Sequence, residues 1–270
     1  MRGPMLEANY VSKTFGLDGA LAARVQALSE VSLTVAQGEF VSLIGPSGCG
    51  KSTLLKIFGG LTPAEQGEVY VRGDRVTGPH PHIGMVFQED STFPWRTTLG
   101  NVEFGLEMRG MARRERRDRS KATIDLVGLT GFEHRYPAEL SGGMRQRVAI
   151  ARALILEPQA LLMDEPFGAL DEQTRIILGE QLLRIQGKLG QTILFVTHNI
   201  NEAVQLSDRV VVMTARPGQI KATFNITLPK PRDSRIIASE AFGRLVAQIW
   251  TALREESLKG FVQATGAQVE

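Results

Sequence analysis

The run FVSLIGPSGCGKS at residues 40–52 constrains the fold of this chain more than any other feature. An apolar stretch ends in a loop, Gly45–Ser52, that matches the pattern G-x-x-x-x-G-K-[ST] at every position. Glycines let the backbone wind tightly, so that amide groups point at phosphate oxygens. The residues that follow, Lys51–Phe58, predict a helix whose positive N-terminal end adds to the same anion site. Strand, loop and helix in this order predict a parallel α/β sheet with a phosphate site at its edge.

Three side chains in this loop suggest specific roles. Lys51 is placed to reach the β- and γ-phosphates of a nucleotide, and the Ser52 hydroxyl is a candidate Mg²⁺ ligand. Cys49 is the only cysteine of the chain, so no internal disulfide can form. A redox role for Cys49 and a role as a small buried filler are both conceivable, and the behaviour of free cysteines favours the filler.

The rest of the chain predicts a split α/β core. Near the N-terminus, strands are predicted at 6–10, 25–28, 31–35, 39–44, 69–72 and 83–87, with a loop between the last two. The middle, about 97–156, has helical periodicity. Short apolar strands return at 160–163, 192–196 and 209–213, separated by helical stretches, which implies a parallel sheet. A closing strand pair at 219–228, a linker at 229–233 and an amphipathic helix at 236–258 complete the prediction.

Polar residues follow three of these strands. Asp164 and Glu165 end the strand ALLM, where a carboxylate of a phosphate-loop protein holds the Mg²⁺ shell and its neighbour can act as general base. Taken alone, the pair would indicate a strand-end turn. His198, after TILFV, is either placed to contact a γ-phosphate or a satisfied strand-end histidine. Gln88 ends another strand, and its neutral amide can ligate Mg²⁺ or orient water.

A second anion turn occurs at LSGGMRQR, residues 140–147. Ser141 fits a helix N-cap, which leaves the amides of Gly142 and Gly143 free to bind an anion. The chain has one phosphate loop and one carboxylate pair, so a second independent nucleotide site lacks its parts. We therefore expect a head-to-tail dimer in which each chain supplies this turn to the nucleotide of the other.

Charge and hydropathy narrow the class of partner. The net charge is +2, from 31 basic and 29 acidic residues, which gives no indication of nucleic-acid binding. The basic stretch 108–121 suits nucleic acid or anionic lipid, but a solvated helical face or loop is favoured because acidic residues interrupt it and no aromatics interleave. No apolar run approaches the roughly 18 residues that cross a bilayer, so we expect an intracellular chain. If such a chain works at a membrane, it must dock on an embedded partner. The stretch EDSTFPWRT exposes Phe93 and Trp95 as a candidate docking surface, with local core packing as the alternative.

Together these motifs resemble the ATP-binding subunit of ABC transporters, over about residues 5–225. GPSGCGKST resembles the Walker A loop, VFQ the Q-loop, LSGGMRQR the ABC signature and LLMDEP the Walker B strand. FGALD resembles the D-loop, with Gly168 where serine is frequent, and VTH resembles the switch-histidine loop. Order and spacing agree throughout, which makes the resemblance very specific.

The resemblance implies a fold and a site. The fold is α/β, a P-loop NTPase (RecA-like) core with an antiparallel β-subdomain and an inserted α-helical subdomain at about 97–156. The ATP-binding domain would span 1–235, and a C-terminal helical tail 236–270. The implied catalytic residues are Glu165, His198, Lys51 and Gln88, and the implied metal ligands are Ser52, Gln88 and Asp164. The implied ATP-binding residues are Phe15, which would stack on adenine with Tyr10 as a nearby alternative, and Gly45, Pro46, Ser47, Gly48, Cys49, Gly50, Lys51, Ser52, Thr53, Ser141, Gly142 and Gly143.

Finer features are similar to the nitrate, sulfonate and taurine importer branch, including TFPWRTTLGNVEFGLEMRG, RYPAELSGGMRQR and TARPGQI. That resemblance implies ATP and Mg²⁺ as cofactors, a second copy of the chain, two transmembrane permease subunits and an extracytoplasmic solute-binding protein. The chain would sit peripherally on the cytoplasmic face of the inner or plasma membrane. The alternatives are a soluble ABC ATPase acting on nucleic acid or ribosomes, and a phosphate-loop kinase, in which the signature turn would have no role.

Overall fold

The computed structural model describes residues 3–16, 24–89 and 91–265, which form two sheets and eight α-helices within those ranges. The strands are β1 (Leu6–Phe15), β2 (Val25–Val35), β3 (Phe40–Ile44), β4 (Gln66–Val71), β5 (Asp74–Arg75), β6 (Ile83–Val86), β7 (Ala160–Asp164), β8 (Thr192–Val196), β9 (Arg209–Met213) and β10 (Ile220–Asn225). The helices are α1 (Lys51–Phe58), α2 (Thr98–Val102), α3 (Phe104–Met108), α4 (Arg113–Leu126), α5 (Gly142–Leu154), α6 (Glu172–Leu189), α7 (Ile200–Leu206) and α8 (Glu240–Thr265).

A four-stranded antiparallel sheet, in the order β2-β1-β4-β5, contains the N-terminal strands. The predicted ends of the first strands were wrong, since β1 continues to Phe15 and β2 is one strand, not two. Bulges at Tyr10 and Glu30, both with positive φ, interrupt the alternation that the sequence shows. The Ser32 and Ser12 hydroxyls accept hydrogen bonds from the amides of these two residues, which lets both strands continue. The predicted loop after β4 also contains the short strand β5.

The second sheet has six strands in the order β10-β9-β3-β8-β7-β6. All neighbours run parallel except β10, which pairs antiparallel with β9. Every residue of β3, β7 and β8 is buried, as expected for parallel strands covered on both faces. The predicted strands at 192–196 and 209–213 are confirmed to the residue.

Helix α1 lies between the two sheets. Leu54, Leu55 and Phe58 share one apolar cluster with strands of both sheets. The predicted bounds of this helix are confirmed. Because the phosphate loop leads directly into α1, burial of the helix between the sheets fixes the position of the loop.

The inserted block contains α2 to α5 and packs on the opposite face of the large sheet. The basic stretch lies mostly on α4, whose arginines are exposed except Arg116, which pairs with Glu103 and Glu107. Ser120 and Ile124 are its buried residues. This arrangement fits the solvated helical face or loop favoured from the sequence. The α/β fold with an antiparallel sheet, a parallel core and a helical insertion is confirmed.

The C-terminal part differs from the sequence expectation in two places. The predicted closing strand pair is the single strand β10, because the chain leaves the sheet where the Ile226 amide donates to the Asp208 carbonyl. A 3₁₀ turn at Ser234–Ala238 precedes α8, which runs further than predicted. Phe242, Ile249 and Leu253 of α8 pack on α7, β9 and β10, and the division of the chain at residue 235 stays a prediction. Among the described residues, no helix combines the length and the hydropathy that a membrane span requires.

Candidate functional site

Four neighbouring strands of the parallel sheet carry the candidate residues at their carboxyl ends. The phosphate loop follows β3, His198 follows β8, Asp164 and Glu165 end β7, and Gln88 follows β6. These strands lie side by side in the order β3-β8-β7-β6. Because the carboxyl ends of parallel strands share one edge, all of these groups meet on one side of the sheet.

Backbone from other segments packs closely around the phosphate loop. Gly50 has φ of 100°, and a Cβ there would lie 2.7 Å from the Ala27 carbonyl oxygen and 2.6 Å from Leu28 Cδ2. Gly45 is equally confined, since its Cβ would lie 2.8 Å from Cys49 Sγ. Only glycine fits these two positions without moving β2 or the loop itself. Ser47 and the next residue form the exposed tip.

The Lys51 side chain is buried within the loop. Its Nζ donates to the carbonyl oxygens of Gly45 at 2.8 Å and Pro46 at 2.9 Å. Cys49 is fully buried, and burial raises the pKa of its thiol. A buried, protonated thiol fits the filler role predicted from the sequence.

A hydrogen bond joins the phosphate loop to the end of β7. The Ser52 Oγ donates to Asp164 Oδ1 at 2.8 Å, and Thr53 follows on the first turn of α1. Asp164 is 7% exposed. Burial raises the pKa of this carboxyl, with the nearby Glu165 acting in the same direction, although the Ser52 hydrogen bond opposes the shift. The Ser52 hydroxyl and the desolvated Asp164 carboxylate are neighbouring oxygen ligands, so a bound divalent cation would stabilise the carboxylate charge.

Glu165 and His198 are in direct contact. His198 Nδ1 donates to Glu165 Oε2 over 2.8 Å, and the carboxylate side chain remains 20% exposed. Glu165 has φ of 44°, a left-handed conformation held by its amide, which donates to the Val196 carbonyl. The backbone of β8 therefore orients the side chain that follows β7.

A buried network behind His198 was missed by the sequence analysis. The Thr197 hydroxyl donates to Glu202 Oε2 and accepts from the Asn199 amide. Asn199 caps α7 by accepting from the Glu202 amide. Burial raises the pKa of the Glu202 carboxyl, although the Thr197 hydrogen bond opposes the shift. The cap signal, Asn199 followed three residues later by Glu202, was available in the sequence.

The segment after Gln88 forms a compact aromatic loop. Gln88 is exposed beyond β6. Trp95 is 72% exposed, and its ring centroid lies 5.5 Å from that of Phe93. Asn101, fully buried, accepts from the Phe93 amide and donates to the carbonyls of Phe93, Arg96 and Thr97. Phe93 packs against its neighbours, whereas Trp95 is exposed, and the docking role of this loop stays a prediction. Sequence reasoning missed Asn101, since an asparagine in a helix gives no positional signal.

The second anion turn begins α5. Ser141 is its N-cap and accepts from the Met144 amide at 3.3 Å, as predicted. The serine is exposed, whereas the two glycines face other segments. A Cβ on Gly143 would lie 2.9 Å from Thr174 Cγ2 of α6, and one on Gly142 would lie 3.4 Å from Leu170 Cδ2, just before α6. The sequence-based N-cap assignment is confirmed.

Of the two candidate adenine-stacking residues, Phe15 ends β1 and Tyr10 lies in the middle of the strand. Phe15 is 45% exposed and pairs with Val25, close to the stretch of β2 that touches Gly50. The Lys13 ammonium lies 5.4 Å from the centroid of the Phe15 ring. Tyr10 is 71% exposed at the bulge opposite Ser32.

The sheet and the groups at its edge define a phosphate-loop ATPase. The model for the family described as ABC transporter matches residues 28–168. An uncharacterized ABC transporter ATP-binding protein of Methanocaldococcus jannaschii is 49% identical over 94% of this chain and 93% of its own. The chain belongs to the ABC transporter family, and it is an ABC ATPase.

Other relatives and structures carry more specific names. An aliphatic sulfonates import ATP-binding protein of Bacillus cereus is 43% identical over 95% of this chain and 98% of its own. A nitrate import ATP-binding protein of Synechocystis sp. is 50% identical over 76% of this chain and 77% of its own. The dimeric structure of a bacterial ABC transporter cassette has a TM-score of 0.73 and 34% identity over 83% of this chain and all of its own. A second structure of that cassette, with the same statistics, is a dimeric post-hydrolysis state bound to ADP and Pi.

Proposed function

We propose that the chain is the ATP-hydrolysing subunit of an import complex that takes up a small anionic solute, such as nitrate, a sulfonate or taurine, through separate membrane subunits. The observation that carries the ATPase part is the contact of Glu165 with His198 at the sheet edge that also holds the Ser52–Asp164 pair. The importer part rests on the two relatives named for nitrate and sulfonate import.

ATP would lie along the phosphate loop. The amides of the loop and the N-terminus of α1 face its β- and γ-phosphates, and Lys51 exchanges its two carbonyl partners for phosphate oxygens. Phe15 is the better candidate for adenine stacking. Its end of the antiparallel sheet adjoins the strand that touches Gly50, whereas Tyr10 lies several residues further along.

The residues present suit Mg²⁺. Ser52 and Asp164 already lie 2.8 Å apart, and Gln88 leaves the strand next to the one that ends in Asp164. When bound, Mg²⁺ would neutralise part of the phosphate charge. Asp164 has a desolvated carboxyl with a raised pKa, so a nearby divalent cation would stabilise its charged form.

Glu165 is the proposed general base. Its carboxylate accepts a proton from the attacking water, the new P–O bond forms at the γ-phosphorus, and the bond to the β,γ-bridging oxygen breaks to release ADP and phosphate. His198 orients this carboxylate through the 2.8 Å contact and is placed to contact the γ-phosphate. The chain thus provides a base held by a hydrogen bond and by the backbone of β8.

The Ser141 turn supplies the other half of the site in a second copy. The phosphate loop is already enclosed by β2 and by the end of β7, whereas the Ser141 hydroxyl is exposed at a helix N-terminus. We infer that Ser141, Gly142 and Gly143 close over the ATP bound to the partner chain in a head-to-tail dimer. Constant ATPase activity per chain upon dilution would contradict this arrangement.

The loop around Phe93–Arg96 is the proposed contact with the membrane subunits. Trp95 presents an exposed aromatic surface, and Asn101 fixes the backbone beneath it. Gln88 precedes this loop, so closure of the ATP site would move the docking surface. The solute-binding protein and the cytoplasmic, peripheral position at the membrane belong to the same proposal.

The test is co-expression with the membrane subunits that accompany the chain. We expect the purified complex to hydrolyse ATP faster than the isolated chain, and faster again when its binding protein carries solute. Addition of DNA or ribosomes should leave the rate unchanged. Stimulation by DNA or ribosomes, with none by the membrane subunits, would support the soluble-ATPase alternative instead. The solute retained by the binding protein identifies the transported molecule.

A further inference from the structure

The end of helix α8 reaches the phosphate loop. Gly260 lies so close to the loop that a Cβ on it would be 3.0 Å from Pro46 Cβ. This distance is shorter than ordinary van der Waals contact. Pro46 also supplies one of the two carbonyls that accept from Lys51. The C-terminal helix therefore touches the segment that holds the phosphate-binding lysine.

A buried carboxylate provides a second attachment of the helix. Glu256, 3% exposed, accepts from the Ala215 amide at 2.9 Å and from Lys221 Nζ at 2.9 Å. Lys259 Nζ adds a third hydrogen bond at 2.8 Å. Gln263 Nε2 donates to the carbonyl of Arg216 at 2.9 Å. The bonds to the Ala215 amide and the Arg216 carbonyl fix α8 against the turn between β9 and β10, residues 214–219. The Lys221 bond ties the helix to β10, and the Lys259 bond lies within α8.

The same turn packs against the phosphate loop on its other side. A Cβ on Gly218 would lie 2.0 Å from the Cys49 carbonyl oxygen, so the two backbones are in close contact. The Arg216 side chain donates from Nε to the Gly48 carbonyl at 3.4 Å. The turn therefore contacts both the helix and the loop.

We propose that helix α8 positions the phosphate loop, so that the affinity of the chain for a nucleoside triphosphate depends on the contacts of Gly260 and Glu256. The inference rests on the proposed role of the phosphate loop in holding ATP. Its physical basis is rigidity: a loop whose amides are held in the binding geometry loses less conformational entropy when phosphate binds.

The substitution Gly260→Ala separates this role from a purely structural one. Alanine is a better helix former than glycine, so the change should stabilise α8 itself. The added methyl group presses on Pro46, so it should displace the phosphate loop. A helix that only stabilises the fold would thus give unchanged or higher melting temperature together with unchanged affinity.

The experiment uses the full chain and a fluorescent ATP analogue with Mg²⁺. We expect Gly260→Ala to weaken the Kd about tenfold, because the displaced loop no longer holds its amides in the binding geometry. The melting temperature should change little, since the gain in helix propensity offsets the strain at Pro46. Gly243→Ala is the matched control, because it lies on the same helix and a Cβ there meets nothing within 4 Å. Its Kd should equal that of the parent chain.

A second pair of variants tests the carboxylate. Glu256→Gln should weaken the Kd, whereas Glu255→Gln, which removes an exposed partner of the same Lys221, should not. Equal binding by the parent, Gly260→Ala and Glu256→Gln would overturn the inference. Lys51→Ala distinguishes the two levels of failure. If all three variants bind like the parent chain, the proposed ATP site is wrong. If Lys51→Ala loses binding while Gly260→Ala and Glu256→Gln keep it, only the proposed role of α8 is wrong.

Discussion

The phosphate loop and the Ser141 turn are both glycine turns that begin a helix, yet the chain surrounds them very differently. The loop is enclosed by β2, by the end of β7 and by the turn before β10, with its lysine and cysteine buried. At the Ser141 turn, the glycines face α6 and the segment just before it, while the capping serine remains exposed. One turn is complete within the chain, and the other presents its anion-binding side outward.

This difference indicates which parts of the site act alone. We expect that a loop already fixed by its own chain binds ATP in a monomer. An exposed turn should contribute only when a second chain brings its bound ATP to it. Binding should therefore depend on the loop, and turnover on both. Four predictions test this contrast, from the largest expected effect to the smallest.

Lys51→Ala should abolish detectable ATP binding. Loss of a buried cation that hydrogen-bonds phosphate oxygens should weaken the Kd at least about a hundredfold. Titration with a fluorescent ATP analogue measures this. Lys56→Ala, on the exposed side of the same helix, is the control and should bind normally. Normal binding by Lys51→Ala would show that the loop does not hold the phosphates.

Glu165→Gln should retain ATP binding while turnover falls by roughly 10²–10⁴, the usual loss for a general base. The bound, uncleaved ATP should then hold two chains together. Steady-state phosphate release gives the rate, and size-exclusion chromatography with ATP gives the oligomeric state. Near-normal turnover would exclude Glu165 as the base.

Ser141→Gly should lower turnover by about tenfold, as loss of a hydrogen bond to a charged group does, without changing ATP binding to the monomer. Glycine is tolerated at a helix N-cap, so the melting temperature should change little. Ser141→Ala is the comparison variant, in which loss of the cap should cost about 1 kcal/mol of stability as well. A weaker Kd in the monomer for Ser141→Gly would mean that the turn serves its own chain.

Acid should weaken the phosphate loop more than the Ser141 turn, because the loop is supported by α8 through the Glu256 carboxylate. Burial disfavours the Glu256 carboxylate, but its hydrogen bonds from Lys259, the Ala215 amide and Lys221 lower the pKa from 4.5 to about 2. Because the folded-state pKa is depressed, this stabilisation is present above about pH 4.5 and is lost as the pH falls towards 2. The Ser141 cap uses a hydroxyl that does not titrate in this range.

Amide exchange of the loop and of α5, corrected for intrinsic rates and compared at pH 5 and pH 3, measures this difference. Protection should fall more in residues 45–50 than in residues 142–146. Equal loss in both regions would show that Glu256 does not support the loop. Glu256→Gln is the control, and its loop protection should change less between the two pH values.

The parts predicted well from the sequence are those where local chemistry fixes the structure. The largely apolar strands Phe40–Ile44 and Thr192–Val196 and the Ser141 cap follow directly from residue type and spacing. The ends of β1 and β2 could not be predicted in this way. At each bulge, a serine hydroxyl of the neighbouring strand accepts a hydrogen bond from the bulged amide, which lets the strand continue. Such long-range contacts leave no periodic signal.

The same limit applies at the site. Asp164, Glu165 and His198 could be assigned to one sheet edge because parallel strands share it. Their hydrogen bonds and the approach of Gly260 to Pro46 depend on segments distant in the sequence. Tertiary packing alone determines these contacts.

Cross-linking between two chains tests the shared site most directly. One chain carries Ser47→Cys at the exposed tip of the phosphate loop, the other carries Ser141→Cys, and both carry Glu165→Gln. Cys49 should not interfere, because it is buried and its thiol pKa is raised. With a short bis-maleimide and ATP, the account predicts a cross-linked dimer in the mixture and none in either variant alone. Absence of this dimer, or its formation to the same extent without ATP, would contradict the shared site.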